Sequence, residues 1–407
     1  MHASGPVHDV LVVGGGLVGA SLAIALERAG LDVALVENAA AGTLPAVFDE
    51  RNLSLGEATV HALEALGVMA KLRGAASPIR RIHASRRGDF GRLRLEASRY
   101  GREMFGQVVV ARDFGQALEA RLRELTGLVH YRPVRFDALE PMDPADRRRC
   151  VRIVDAAGER TLRARLLVAA DGTSSAVREA LGIASTTRDF GQALFVARVR
   201  AQRAPDGTAY ERLGDSGPTA LLPRADRQYG LVHAVPLVDA DAVAALGDAA
   251  FLARVQDAFG WRVGRLLAVG ERSMYRPVQR IAARTVAPRA VLVGNAAQTL
   301  HPVGAQGFNL GLRDAMTLAE LLQAAPADAG DPALLAAYAA RRDEDRRRSI
   351  AFSEGLAGFT ANPSGFASAL RSIGLLALDH GGVAQSRLVG GAMGYRGEVP
   401  ALCRGPA

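Results

Sequence analysis

The chain has 407 residues, 49% of them hydrophobic and 23% charged, with a formal net charge of +8 and two cysteines. Such a composition belongs to a globular protein with material for two or three domains, and it excludes a disulfide-stapled secreted scaffold. Aromatic residues are few and no nucleic-acid motif occurs, so the basic balance points to an anionic cofactor, an acidic partner or an anionic lipid surface and away from nucleic acid. Cys150 and Cys403 form no Cys-x-x-Cys and no zinc spacing; both read as inert thiols of a reducing cytoplasm, and no metal site is expected.

The first uncharged stretch, Val10 to Leu26, is neither signal peptide nor membrane anchor. The preceding "MHASGPVHD" has no Lys or Arg, and three consecutive glycines interrupt the stretch. It reads instead as strand Val10–Val13, a tight turn, and a helix over Ala20–Ala29 stopped by Gly30, with a buried strand at Val33–Val36 to follow. Gly14, Gly16 and Gly19 fit G-x-G-x-x-G. Gly14 permits the turn, Gly16 lets a pyrophosphate approach the backbone, and Gly19 lets helix and strand pack closely. The helix N-terminus then offers free N–H groups to the phosphates. Glu37 ends the second strand, where an acid binds ribose hydroxyls, so FAD or NAD is favoured over NADP. The alternative is a glycine-rich packing turn in an unrelated α/β domain.

Further along, "IRRIHASRRGDFGRLRLEA" alternates as a β-hairpin. "RLLVAADGTSSAVREALGI" begins with a strand at Leu166–Ala170, turns at Asp171-Gly172, and has Ser174 or Ser175 as a helix cap. From Thr186 to Tyr275, "ALFVARVRA", "TAYERLG", "TALLPRADRQYGLVHAVP" and "SMYRPVQRIAARTV" read as strands of an antiparallel sheet, and "DAAFLARVQDAFGW" as a helix. Then "RAVLVGNAAQTLHPVGAQGFNLGLRDAMTLAELL" gives a strand at Ala290–Val293, ended by Gly294-Asn295. A loop with Pro302, Gly304 and Gly307 follows, and then a long helix with an apolar stripe. "RRDEDRRR" at Arg341–Arg348 reads as a charged helix with a solvated face and i,i+4 pairs, Asp343 with Arg347 and Glu344 with Arg348. "ADRRRC" reads as a loop. The tail from Phe352 is Gly- and Ala-rich and could cap the domain, meet a partner or touch a membrane.

The glycine fingerprint, the Asp-Gly turn and the "GNAAQTLHP…GAQGFN" stretch, in this order, resemble the flavoprotein aromatic hydroxylases of the para-hydroxybenzoate hydroxylase fold. That family shows G-D-A-A-H where this chain has Asn295 for the Asp and Gln298 for the His. The departure resembles one branch, the 2-polyprenyl-6-methoxyphenol hydroxylases of ubiquinone biosynthesis, as do "FDERNLSL", "GQVVV", "YERLGDSGPTALLP" and "AFGWRVG". The resemblance implies an α/β fold: a discontinuous Rossmann-like FAD-binding domain (1–78, 105–185, 276–325), an interleaved antiparallel-sheet substrate domain (79–104, 186–275) and a helical C-terminal region (326–407). It implies FAD, with the adenosine half at Gly14 to Glu37, Asp171-Gly172 in the second motif, and the ribityl chain by Gly294-Asn295. The isoalloxazine ring would lie by the Pro302 to Asn309 loop, including Gly307, Phe308 and Asn309. Arg51 and Arg112 stand where family members place FAD-contacting arginines; a surface ion pair is the alternative for each. An Asn at 295 can still accept a ribityl hydrogen bond but forfeits the charge.

The family chemistry implies reduction of FAD by NADH or NADPH, then O2 activation as a flavin C4a-hydroperoxide that hydroxylates the ring of a phenol. No second G-x-G-x-x-G occurs, so the nicotinamide nucleotide visits transiently. His301 and Pro302 in the flavin loop and Tyr229 are the candidates for the reacting region, with Tyr210 and His233 as substrate contacts; loop structure and ordinary sheet surface are the rival readings. A polyprenyl phenol implies an open groove, delivery from a ubiquinone-biosynthesis complex or from peripheral contact with the inner membrane, and an otherwise cytoplasmic protein.

Overall fold

The computed structural model describes residues 6–44, 50–142, 146–324, 327–359 and 365–405; Phe48 and Asp49 of "FDERNLSL" and Ala145 of "ADRRRC" lie outside them. A parallel sheet runs in the order Ala290–Leu292, Gly158–Ala169, Val7–Val13, Val33–Val36, Leu128–Tyr131, with Val286–Ala287 as an antiparallel edge. Its central segments Val10–Val13, Val33–Val36, Leu166–Ala169 and Ala290–Leu292 are continuous apolar runs because both faces are covered there. Val10, Val12, Leu35 and Val168 pack under the helices Leu17–Leu26 and Gln306–Ala324. Leu11, Val13, Ala34 and Ala169 turn the other way, toward Phe136, Ile153 and Val177. Each such Val, Leu, Ile or Phe side chain contributes roughly 1.5–3 kcal/mol on burial.

A second, mostly antiparallel sheet runs Leu266–Val269, Gln192–Ala201, Tyr229–Pro236, Gly217–Pro223, Thr208–Gly214, Arg81–Arg86, Arg92–Glu96. The early hairpin therefore joins a sheet built more than a hundred residues later, through parallel pairing of Arg81–Arg86 with Thr208–Gly214. One face of this sheet buries Phe195, Leu221, Tyr229 and Leu231 under the helix Asp248–Phe259. The sequence reading of "SMYRPVQRIAARTV" needs correction. Ser273–Tyr275 joins this sheet, but Val278–Ala282 leaves it and pairs with Ser185–Asp189 and Gln298–Thr299. Pro277 lies between the two, has no N–H for the ladder, and lets the chain change sheets. "ADRRRC" is likewise only partly loop, since Arg149 and Cys150 already belong to the strand Arg149–Asp155.

The helices Pro332–Phe359, Gly365–Asp379 and Val383–Met393 complete the fold. The expectation of a solvated "RRDEDRRR" face is half wrong. Asp343–Arg347 and Glu344–Arg348 do pair on the outside. Arg342 and Asp345 are instead buried, on a stripe with Leu335, Tyr338, Ser349 and Ser353 that faces the helix Gln306–Ala324. The tail folds back: the Met393 carbonyl oxygen sits where a side chain on Gly56 would begin, 3.1 Å away. Among the described residues, no helix is long and apolar enough to cross a membrane.

Candidate active site

The glycine turn joins the strand Val7–Val13 to the helix Leu17–Leu26. Gly14 has φ +104°, and a Cβ there would lie 2.5 Å from the Ala170 carbonyl oxygen. A Cβ on Gly19 would lie 1.9 Å from the Gly14 carbonyl oxygen, so only glycine lets helix and strand approach. Gly16 differs: a Cβ there would meet no protein atom within 4 Å. The helix starts with no side-chain cap and no acid in its first turn, leaving its positive end uncompensated. The Glu37 carboxylate closes the turn, accepting from Gly15 N (2.6 Å) and Ala39 N (2.7 Å).

Two further segments are stitched together beside this turn. Asp171 accepts from Ser175 Oγ and from Val177 N (3.0 Å), while Ser175 Oγ accepts from Arg178 N (2.9 Å) and caps the short helix Ala176–Ala180. Burial raises the Asp171 pKa. Gly172 turns the chain at φ +85°. The buried Arg178 donates to Thr173 O (3.2 Å) and Ala296 O (3.0 Å), tying the Asp-Gly turn to "GNAAQ". Gly294 lies so close to Val18 and Gly311 that a Cβ on either glycine would fall within 3 Å of a neighbouring atom. Asn295 is exposed. Gln298 is buried, donating to Asp314 Oδ2 (2.6 Å) and accepting from Arg346 Nε (2.9 Å). Asp314 also meets Arg342 Nε (2.8 Å), and Asp345 is gripped by Arg313 Nε (2.6 Å) and Arg342 Nη2 (2.8 Å).

The loop that follows is held from several sides. His301 is 2% exposed; Val303 N donates to its Nδ1 (3.2 Å), so its Nε2 carries the proton and donates to Gln192 Oε1 (3.2 Å). Burial and then Arg188 lower its pKa to about 4, which keeps the ring neutral. Pro302 leads into two positive-φ residues, Gly304 (+71°) and Ala305 (+50°), just before the helix Gln306–Ala324. A non-glycine residue in that conformation is strained and needs its surroundings to hold it. Asn309 supplies part of the hold: its side chain donates to Ala305 O (2.7 Å) and Ser54 O (2.9 Å) and accepts from Gly56 N (2.8 Å). The Phe308 ring packs on Phe114 at 5.5 Å. Gly307, like Gly16, has open space where a Cβ would go. Arg51 stacks on the Tyr275 ring at 4.1 Å, and Arg112 makes an exposed ion pair with Glu50 at 2.7 Å.

The loop lies against the face of the second sheet that the helix Asp248–Phe259 does not cover. One hydrogen bond ties them, His301 Nε2 to Gln192 Oε1, and the Gly304 N–H lies beside the Glu211 carboxylate. A Cβ on Gly230, on the same face, would overlap the Asn52 side chain at 1.8 Å, so the strand Asn52–Gly56 docks there as well.

The chain matches a model of the FAD binding domain family over residues 7–353. It is 35% identical to ubiquinone hydroxylase UbiL of Rhodospirillum rubrum, over 98% of this chain and 93% of that protein. It is 29% identical to the 3-demethoxyubiquinol 3-hydroxylase of Escherichia coli, over 95% of this chain and 98% of that protein. Among solved structures it is similar to p-nitrophenol 4-monooxygenase PnpA of Pseudomonas putida, with a TM-score of 0.75 at 20% identity over 97% of this chain and all of that one. The chain belongs to this FAD binding domain family, with a ubiquinone hydroxylase among its relatives.

In this hydroxylase three sequence expectations for the substrate side fail. Tyr229, Tyr210 and His233 point into the core beneath the helix Asp248–Phe259, away from the Pro302–Asn309 loop. Tyr229 is 1% exposed with its ring on Tyr210 (6.5 Å), Tyr210 packs on Phe259 (5.8 Å), and His233 bonds Thr219 Oγ1 (2.9 Å) beside Phe251. Burial raises the Tyr229 pKa and lowers that of His233 to about 4. Strand alternation decides this, because residues one apart face opposite ways. His301 is also corrected: with both nitrogens engaged it fixes the loop and has no free site for a proton. Gln298 belongs to the ion network under the loop. Sequence reasoning missed Glu211, although "TAYERLG" held the signal. Alternation puts Glu211 on the face of Ala209 and Leu213, a charge between two apolar residues.

Proposed function

We propose that this protein hydroxylates the ring of a 2-polyprenyl-6-methoxyphenol in ubiquinone biosynthesis, using FAD, NADH or NADPH, and O2. The similarity to a ubiquinone hydroxylase over nearly the whole chain carries this reading. The residues fit FAD. The open side of Gly16 and the uncapped helix behind it suit the pyrophosphate, Glu37 the adenosine ribose, and the exposed Asn295 beside Gly294 the ribityl chain. Arg51, Arg112 and the Asp171-Gly172 turn stay within this cofactor assignment. Gly307 would leave room for a flavin ring beside the backbone, and the positive end of the helix Gln306–Ala324 would stabilise negative charge on it. When bound, FAD would supply the hydride acceptor and the O2-activating centre that the protein's own side chains lack. The protein's own part is to hold the ring, place the phenol beside it and exclude water.

A prenyl tail gains roughly 0.8 kcal/mol per buried CH2, so it passes between apolar surfaces and avoids water. Delivery from a membrane surface or a partner of the same pathway follows. The test is deletion of the gene, with identification of the aromatic intermediate that accumulates. A prenylated 6-methoxyphenol is expected, and complementation should clear it. Normal ubiquinone in a strain without a paralogue would refute the reading. Equal turnover of small tail-free phenols by the purified protein would favour a soluble aromatic substrate.

A further inference from the structure

The register of the second sheet lines up Ala84, Glu211, Ala220, Val232 and Val196 across five strands on one face. Four of the five are apolar. All five are partly exposed, although they lie in mid-sheet, whereas Phe195, Leu221, Leu231 and His233 on the opposite face are buried. The row is therefore an apolar floor open to a space beside the flavin loop, with one ionisable group in it. The Glu211 carboxylate lies beside the Gly304 N–H of the Pro302–Asn309 loop.

Among the described residues, no charged partner faces Glu211. Arg212, next on the strand, points to the other face beside Thr219. His301 on the loop is neutral and spends both nitrogens on Gln192 and Val303. The helix Pro332–Phe359 brings Phe352 and Leu356 against Gly304, with Arg396 stacked on Phe352 at 5.6 Å. Burial raises the Glu211 pKa and the Gly304 N–H partly offsets this, leaving it pushed up to about 7. A carboxyl so poised exchanges its proton near neutrality, as a general base should.

We propose that Glu211 is the catalytic base that takes the hydroxyl proton of the phenol substrate. The inference rests on the ring-hydroxylase reading above. The phenol O–H bond breaks, its proton moves to a Glu211 carboxylate oxygen, and the bonding pair stays on the phenolic oxygen. From there it enriches the ring carbons ortho and para to it, which attack electrophilic oxygen. The apolar neighbours keep out water that would compete for the proton. The Gly304 contact sets the base and the Pro302–Asn309 loop around the same space.

Two variants separate base from brace. Glu211→Gln keeps an oxygen that can accept from Gly304 N–H but cannot take a proton; Glu211→Ala removes both. The FAD-loaded proteins are mixed with a short-tailed nitrophenol, whose phenolate absorbs in the visible, and titrated with pH. Glu211→Gln should keep its FAD and its reduction by NADH or NADPH. The phenolate band of its bound probe should appear about one pH unit or more above that of the wild type, and phenol hydroxylation should fall about 100-fold. Identical probe ionisation in the two proteins, or a wild-type rate and pH profile in Glu211→Gln, overturns the proposal. Loss of activity in Glu211→Ala alone also overturns it and leaves Glu211 as a fastener of the loop. A wild type that binds no phenol sinks the ring-hydroxylase reading itself, and this inference with it.

Discussion

Replacing Asp345 with Asn tests how the Pro302–Asn309 loop is supported. Asp345 is 0% exposed and accepts from Arg313 Nε (2.6 Å), Arg313 Nη2 (3.1 Å), Arg342 Nη2 (2.8 Å) and Ser349 Oγ (3.3 Å). Two buried arginines face two buried carboxylates, Asp345 and Asp314, so the cluster is close to neutral. Asparagine keeps the shape but leaves one positive charge uncompensated, which costs about 3–5 kcal/mol when one partner of a buried pair is removed. The pH dependence has a definite sign. Burial alone raises the Asp345 pKa, but Arg313 and Arg342 outweigh it and hold the group down to about 2, below its ordinary 3.8. A depressed carboxylate stabilises the fold above its unfolded pKa and loses that contribution as pH falls through its folded one. This component is worth roughly 2 kcal/mol and vanishes between about pH 4 and pH 2. Urea unfolding followed by far-UV circular dichroism at neutral pH reads the first quantity, and a pH series reads the second. FAD retention should drop in parallel, because Asp314 in the same cluster also receives Gly294 N and Gln298. A loss below about 1 kcal/mol, or an unchanged acid limb of the stability curve, would refute the reasoning.

Gly16→Ala and Gly19→Ala should part company. Gly16→Ala meets no protein atom, so the protein should fold normally and lose FAD affinity by about tenfold or more, read by fluorescence titration. Gly19→Ala drives a methyl into the Gly14 carbonyl and should lower the melting temperature before any cofactor is added. Tyr229→Phe removes a hydroxyl from the core beneath the helix Asp248–Phe259. It should leave the pH profile of hydroxylation untouched; a displaced profile would return Tyr229 to the reacting region.

Much of the fold was legible because its signals are local. The apolar runs at Val10–Val13 and Val33–Val36, the glycines of the first turn, and the alternation in "TAYERLG" and "ALFVARVRA" each depend on residues a few positions apart. Chain direction and Pro277 were also in plain view, yet the split of "SMYRPVQRIAARTV" between two sheets was not, because strand partners are chosen by distant segments. "RRDEDRRR" was misread for the same reason. A charged helix looks solvated until Arg313 and Asp314, from another helix, are known to face it.

By itself, the sequence determined the class of protein and the local form of the glycine turn, the Asp171-Gly172 turn and the strand end at Gly294-Asn295, since backbone turns and helix ends are written in short stretches with fixed residue types. It also marked Asn295 and Gln298 as unusual. Only the tertiary structure sent them separate ways, Asn295 to the surface beside Gly294 and Gln298 into the ion network beneath the loop. The same holds for Glu211, Tyr210 and Tyr229. Alternation sorts side chains between two faces, but which face meets the Pro302–Asn309 loop is settled by packing across hundreds of residues.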